Sequence, residues 1–146
     1  MFKANTKFLI ADDSNIQRKI IKLILNDLGY MNLVEATDGQ MALEAIMNSF
    51  NTNRPIQFII SDWEMPHMKG IDLLKTCKNH PVYKSIPFIL LTAANAAPQI
   101  MQALAAEVSE YIVKPFSAET LRDKIDRIYL ATHSENIRAR LPPQGS

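Results

Sequence analysis

The chain has 146 residues, 47% of them hydrophobic and 21% charged, with a formal net charge of +1. That length supports one domain with a sizeable core and is too short for two ordinary domains, and so balanced a charge gives no ground for non-specific binding to nucleic acid or an anionic membrane. Cys77 is the single cysteine, which excludes an internal disulfide framework and a cysteine-rich zinc site and fits a reducing compartment.

No apolar run approaches the roughly 18–20 residues that span a bilayer. The opening MFKANTKFLIADD turns acidic too early for a secretory signal, so the expected setting is the cytoplasm. Along the chain, the pattern predicts a strand over 7–11, a helix over 14–28, a strand over 33–36 and a helix over 38–49. A strand over 57–61, a helix over 70–79 and a strand over 87–92 follow. The series ends with a helix over 96–106, a strand over 109–113 and a helix over 117–131. Five strands alternating with five helices predict an α/β domain with a parallel sheet. Phe58-Ile59-Ile60 and Phe88-Ile89-Leu90-Leu91 are unbroken apolar runs, as burial on both faces of a central strand requires.

In the first helix, Ser14 and Gln17 are spaced as a capping box, Ile16, Ile20, Leu23 and Ile24 form one apolar stripe, and Gly29 offers a left-handed stop. Leu121, Ile125 and Ile128 repeat such a stripe in the last helix, with Ser117 or a neighbour as its cap. The fourth helix is Ala-rich, carries Pro98 in its first turn and has no strong stop signal. From Thr132 onward apolar periodicity is lost, which predicts a frayed end or linker.

The chemistry gathers at strand ends. Asp12-Asp13 follows the first strand, Asp62 the third, Thr92 closes the fourth, and Lys114-Pro115 follows the fifth. In an open parallel sheet that edge is where ligands bind. Two like charges about 4 Å apart repel by roughly 1 kcal/mol in bulk water and about 4 kcal/mol at an effective dielectric near 20. Three carboxylates together therefore need a shared cation or a retained proton. Mg²⁺ suits the set, because it takes oxygen ligands, uses one or two carboxylates and keeps waters that a phosphate can displace. With charge so offset, one carboxylate can attack phosphorus, while Lys114 supplies a cation and Thr92 a hydroxyl.

Each residue also has a plain structural reading. Asp12-Asp13 can open a helix, Asp62 a turn before Met65-Pro66, and Thr92 can be an ordinary strand residue. Lys114 can be a solvated lysine and Tyr111 a packing residue. What these readings leave unexplained is the coincidence of four strand ends.

In FLIADDSNIQRKI, FIISDWEMPHMKGIDLLK, FILLTA and EYIVKPFSAETL, the chain resembles the receiver domain of two-component response regulators, the CheY-like group, from about residue 7 to 130. The resemblance implies a flavodoxin-like, doubly wound five-stranded parallel sheet of order 2-1-3-4-5. It divides the chain into a receiver domain, 1–131, and a C-terminal tail or linker, 132–146. It makes Asp62 the phosphoacceptor, Asp13 a direct Mg²⁺ ligand, Asp12 a residue holding the ion through water, and the Glu64 backbone carbonyl a further ligand. Thr92 becomes the switch hydroxyl, Tyr111 the aromatic that follows it, and Lys114 the phosphate's partner. The Lys114–Pro115 peptide is implied to be cis, an option open in practice only to X–Pro bonds. A sensor histidine kinase or phosphotransfer protein would donate the phosphoryl group, and a downstream protein would read the face of the fourth helix, fifth strand and fifth helix. No membrane or direct nucleic-acid contact is implied, and the protein would be a monomer or a phosphorylation-dependent dimer.

Three residues depart from the usual pattern. Glu107 stands where a glycine often ends the fourth helix, which predicts a strained or shifted turn. Glu110 adds acid beside Tyr111 on the partner-facing surface. Glu64 adds a carboxylate at the rim, expected to affect water access or metal affinity. Two other function classes compete: an Mg²⁺-dependent phosphatase with an aspartyl nucleophile, and a flavodoxin-like nucleotide binder. Asp12-Asp13-Ser14-Asn15-Ile16 does not match the D-x-D-x-T/V run of the phosphatases, and no length remains for a substrate cap. The first loop also lacks a glycine- or hydroxyl-rich phosphate cradle. Within the receiver class, the chain is either a stand-alone regulator or part of a larger one with an output domain beyond residue 146.

Overall fold

The computed structural model describes residues 1–93 and 97–140, with side chains described as far as His133. In chain order the elements are β1 (Phe8–Ala11), α1 (Asn15–Asp27), β2 (Leu33–Ala36), α2 (Gly39–Asn51), β3 (Phe58–Asp62) and α3 (Gly70–Lys78). A 3₁₀ turn (Tyr83–Ser85), β4 (Phe88–Thr92), α4 (Ala97–Ala105), β5 (Glu110–Val113) and α5 (Ala118–Arg140) complete them. All strand pairings are parallel, in the order β2-β1-β3-β4-β5.

Alternation along the strands divides the core in two. Phe8, Ile10, Phe58, Ile60, Ile89 and Leu91 face α1 and α5, where they meet Ile21, Leu25, Leu121, Ile125 and Ile128. Leu9, Ile59, Phe88 and Leu90 face the other way, against Ile46, Leu73, Leu74 and Ala103. Burial on both sides is why β3 and β4 read as continuous apolar runs.

Several expectations need correction. The stripe assigned to α1 is rotated: Ile16, Ile20 and Leu23 are exposed, whereas Ile21 and Leu25 enter the core beside Arg18. The helix carries apolar residues on two sides, and its sequence alone does not say which one meets the sheet. The capping box is half formed. Ser14 Oγ accepts the Gln17 N–H at 3.2 Å, but the Ser14 N–H donates to Asp12 Oδ1 at 2.9 Å instead of to Gln17. The last helix does not end at 131; its backbone stays helical to Arg140, in a stretch with the strong helix formers Ala131, Glu135, Arg138 and Ala139. Residues 141–146 of the expected tail, and the expected helix start at Ala96, lie outside the described residues.

Gly29 and Glu107 end their helices in the same way. Gly29 has φ +95°, and the Tyr30 N–H reaches back to the Leu25 carbonyl at 2.9 Å. Glu107 has φ +61°; its N–H donates to the Leu104 carbonyl at 3.1 Å, and the Val108 N–H to the Ala103 carbonyl at 3.2 Å. This paired closure favours glycine at the left-handed position, and an L side chain there costs about 1–2 kcal/mol. Glu107→Gly is expected to raise thermal stability by about 1 kcal/mol, a few degrees in the melting temperature. A thermal melt unchanged or lowered by the substitution would contradict that account.

Candidate functional site

The C-terminal ends of β1, β3, β4 and β5 lie along one edge of the sheet, and the register brings their last residues together. Asp62 pairs with Leu91, one residue before Thr92, and Thr92 pairs with Val113, one residue before Lys114. The Lys114 N–H donates to the Thr92 carbonyl at 2.8 Å, so the two last strands are tied at their ends. The Lys114–Pro115 peptide is cis.

Carboxylate oxygens of Asp12, Asp13 and Asp62 lie within 4.8 Å of one another. Asp12 is 1% exposed; one of its oxygens accepts the Ser14 N–H, and the other is buried without a partner among the described residues. Asp13 is exposed. Asp62 Oδ1 accepts the Trp63 N–H at 2.9 Å and an ion pair from Lys114 Nζ at 2.6 Å. One ammonium thus faces three acids. Burial pushes the Asp12 carboxyl up to about 6, against the bond from Ser14, and the charge of Asp62 adds to the rise. Burial also raises Asp62, although Lys114 opposes it.

The remaining sequence-derived residues surround this trio. Thr92 is fully buried, and among the described residues its hydroxyl oxygen has no hydrogen-bond partner. Tyr111 is half-buried on β5, with Lys124 Nζ 5.7 Å from its ring centroid. Glu64 is exposed, and its carboxylate lies 3.8 Å from Lys69 Nζ. Glu110 is not a free acid on the surface: Lys124 and Arg127 of α5 approach its oxygens at 3.2 and 3.4 Å.

Gly70 opens α3 and holds the β3–α3 loop against the strand end. Its N–H donates to the Trp63 carbonyl at 2.9 Å, and a Cβ there would lie 2.0 Å from the Asp62 carbonyl oxygen. Only glycine lets the helix start this close to the acidic edge.

Sequence reasoning missed Arg18. Its buried guanidinium donates to the Asp12 carbonyl at 2.7 Å, pairs with Glu35 at 3.1 Å and contacts the Asn15 side chain. The available signal was its spacing: residues 18, 21 and 25 form one helical face, and a charge on an inward face needs a buried partner.

The donor set fits a hard divalent cation. It is all oxygen, carries an excess of negative charge, and includes a buried carboxylate oxygen that no group among the described residues satisfies. Comparison with known proteins agrees. The response regulator receiver domain family matches residues 8–126. This chain belongs to the response-regulator receiver family. It is 42% identical over 125 residues to the chemotaxis protein CheY-3 of Vibrio cholerae, covering 86% of this chain and 92% of that protein. It is 42% identical over 123 residues to the chemotaxis protein CheY of Pseudomonas aeruginosa, covering 84% and 95%. Among solved structures, the chemotaxis response regulator CheY4 of Vibrio cholerae is similar with a TM-score of 0.72 at 30% identity, covering 85% and 98% of the two chains. A response regulator from Chloroflexus aurantiacus gives 0.76 at 28% identity, covering 85% and 97%. Receivers of this family are signalling switches rather than conventional enzymes, and they bind Mg²⁺ at an acidic pocket. They work with histidine kinases or phosphotransfer proteins and with downstream targets. Among the described residues, no helix is long and apolar enough to cross a membrane.

Folded Asp12 holds its proton up to about pH 6, against an ordinary value of 3.8, so its contribution to stability is full below the lower value and is lost as pH rises through the upper one. The metal-free protein should therefore gain about 1 kcal/mol from Asp12 as pH falls from neutral to about 5, and Asp12→Asn should reduce that slope, the raised Asp62 acting in the same direction. Glu35, lowered because Lys22 and Arg18 outweigh its burial, acts in the opposite direction only below its ordinary 4.5. Thermal melts across that range check it; a wild-type curve that is flat or falls toward acid contradicts the account. Gly70→Ala should cost about 2–3 kcal/mol through the clash at the Asp62 carbonyl, measured by denaturant unfolding.

Proposed function

We propose that the chain is a phosphorylation switch that accepts a phosphoryl group on Asp62 from a sensor histidine kinase or phosphotransfer protein, in the cytoplasm. The observation that carries this reading is the Lys114 ammonium 2.6 Å from Asp62, inside a trio of carboxylates within 4.8 Å. On this reading Mg²⁺ would be held by Asp13, Asp62 and the Glu64 backbone carbonyl, with Asp12 acting through water. Its chemistry there is to neutralise charge on the transferring phosphoryl oxygens.

The protein's own residues do the rest. A lone pair of Asp62 forms the new O–P bond as the donor's P–N bond breaks, and the donor imidazole keeps that electron pair. Lys114 turns from the carboxylate to a phosphoryl oxygen. Thr92 offers its unpartnered hydroxyl to another, and Tyr111 follows into the space it leaves. The readout surface is then the face of α4, β5 and α5, whose repacking a downstream protein senses. Ile20, Pro115 and Phe116 beside Lys114 form an apolar lip that supports docking of the phosphodonor. Hydrolysis of the acyl phosphate returns the free carboxylate, so any catalysis acts on the protein itself. Residues 1–131 form the receiver unit in this reading.

Incubation with a small acyl-phosphate donor, with and without Mg²⁺, tests it by mass. A metal-dependent phosphoryl adduct on the wild type that falls to background in Asp62→Asn is expected; no adduct, or one that persists in Asp62→Asn, overturns the reading. Size-exclusion of the adduct separates a dimerising switch from a monomeric one. Glu64→Ala is expected to alter the rate of autodephosphorylation or the affinity for Mg²⁺ measurably, and unchanged values of both would remove Glu64 from the mechanism.

A further inference from the structure

We infer that Arg18 is a positioning residue for the acidic pocket, fixing the 12–14 turn to the edge strand β2 so that the carboxylates fit a small divalent ion. This rests on the metal reading above and deepens it.

The backbone of Asp12 lies just past the end of β1 and is held from both sides. Its N–H donates to the Ala36 carbonyl of β2 at 3.0 Å. Its carbonyl accepts from Arg18 Nη1 at 2.7 Å. The same guanidinium reaches Glu35, the residue before Ala36, through Nε at 3.1 Å. Asp12, Arg18, Glu35 and Ala36 therefore close a circuit that joins the acidic turn, α1 and β2. Lys22 holds the other oxygen of Glu35 at 3.2 Å, which fixes that carboxylate for Arg18.

The guanidinium also contacts the Asn15 side chain, while the Arg18 N–H donates to the Ser14 carbonyl at 3.0 Å. The Ser14 bond is the first backbone bond of α1, which any residue but proline would make; the arginine side chain itself grips the turn at Asp12 and Asn15. Arg18 is only 8% exposed, and its bond to the Asp12 carbonyl is buried, while those to Glu35 and Asn15 are partly shielded from water. A lysine cannot replace it, because a single ammonium does not span acceptors arranged around a planar fork.

Position matters more for one ion than another. Mg²⁺ demands near-ideal octahedral geometry at short distances, whereas Ca²⁺ accepts variable coordination. A residue that sets where the carboxylates stand should therefore control affinity for Mg²⁺ more than for Ca²⁺. A residue that merely stabilises the fold has no reason to separate the two.

The test titrates MgCl₂ and CaCl₂ into the full-length protein without phosphodonor, read by calorimetry and by fluorescence of Trp63. That residue is the single tryptophan and directly follows Asp62. Arg18→Lys, Arg18→Met and Glu35→Gln are compared at a temperature where melts find each folded. The expected result is about a tenfold or greater loss of Mg²⁺ affinity in the Arg18 variants, with a clearly smaller loss for Ca²⁺, and a weaker effect of the same kind in Glu35→Gln. Wild-type Mg²⁺ affinity, or equal loss for both ions, overturns the inference. Should Arg18→Met fail to fold, Arg18→Lys and Glu35→Gln decide it by the same ratio of affinities. Asp13→Asn separates this outcome from failure of the metal reading. If the wild type does not bind Mg²⁺, or Asp13→Asn binds it unimpaired, the metal reading falls. If Asp13→Asn abolishes binding and the Arg18 variants do not affect it, only the role of Arg18 falls.

Discussion

Three carboxylates within 4.8 Å, opposed by one ammonium, are the constraint on which this molecule turns. Left alone they repel, and burial of Asp12 and Asp62 raises the cost of keeping them charged. The chain tolerates the conflict because the acids are fixed by the packing and hydrogen bonds around them. Central strands buried on both faces, a glycine that brings α3 onto the Asp62 carbonyl, and a buried arginine behind Asp12 hold the acids where they would not choose to be. A site that is strained when empty of counter-charge is one that gains from a cation and can exploit an added anion.

Much of this was readable beforehand, for definite reasons. A doubly wound parallel sheet writes itself into sequence as apolar runs separated by amphipathic helices, and chemistry at strand ends writes itself as polar residues directly after those runs. Asp12, Asp13, Asp62, Thr92 and Lys114 all carry that signature, and the structure brings their strand ends to one edge. Which face of α1 is inward did not follow, because Ile16, Ile20 and Leu23 compete with Ile21 and Leu25 and only tertiary packing decides between them. The continuation of α5 to Arg140 was also missed, since helix propensity can extend a helix where no apolar stripe announces it. Arg18 escaped notice because the face it shares with Ile21 and Leu25 was not taken as the inward one, and its contact with Glu35 crosses elements.

The departures from the family pattern have physical consequences of their own. Glu107 adopts the left-handed conformation that glycine favours, and the helix closure survives because its two return hydrogen bonds are made. Glu110 is absorbed by Lys124 and Arg127, which fastens β5 to α5 at the point where Tyr111 sits. An acid that looked available to a partner is an internal tie instead. A partner for this surface would meet a patch whose basic residues are already half neutralised.

The contact between Lys114 and Asp62 has an energetic corollary. Since the ammonium is engaged at rest, moving it to a new anion exchanges one ion pair for another and yields little net driving force. The buried Thr92 hydroxyl is different: it has no partner among the described residues, and an unsatisfied polar group of this kind is worth about 1–3 kcal/mol when it finds an acceptor. A full swing between states needs about 5.5 kcal/mol. The threonine alone falls short of that, so on the proposed reading the remainder has to come from the other contacts of the phosphoryl group, from the cation or from a bound partner.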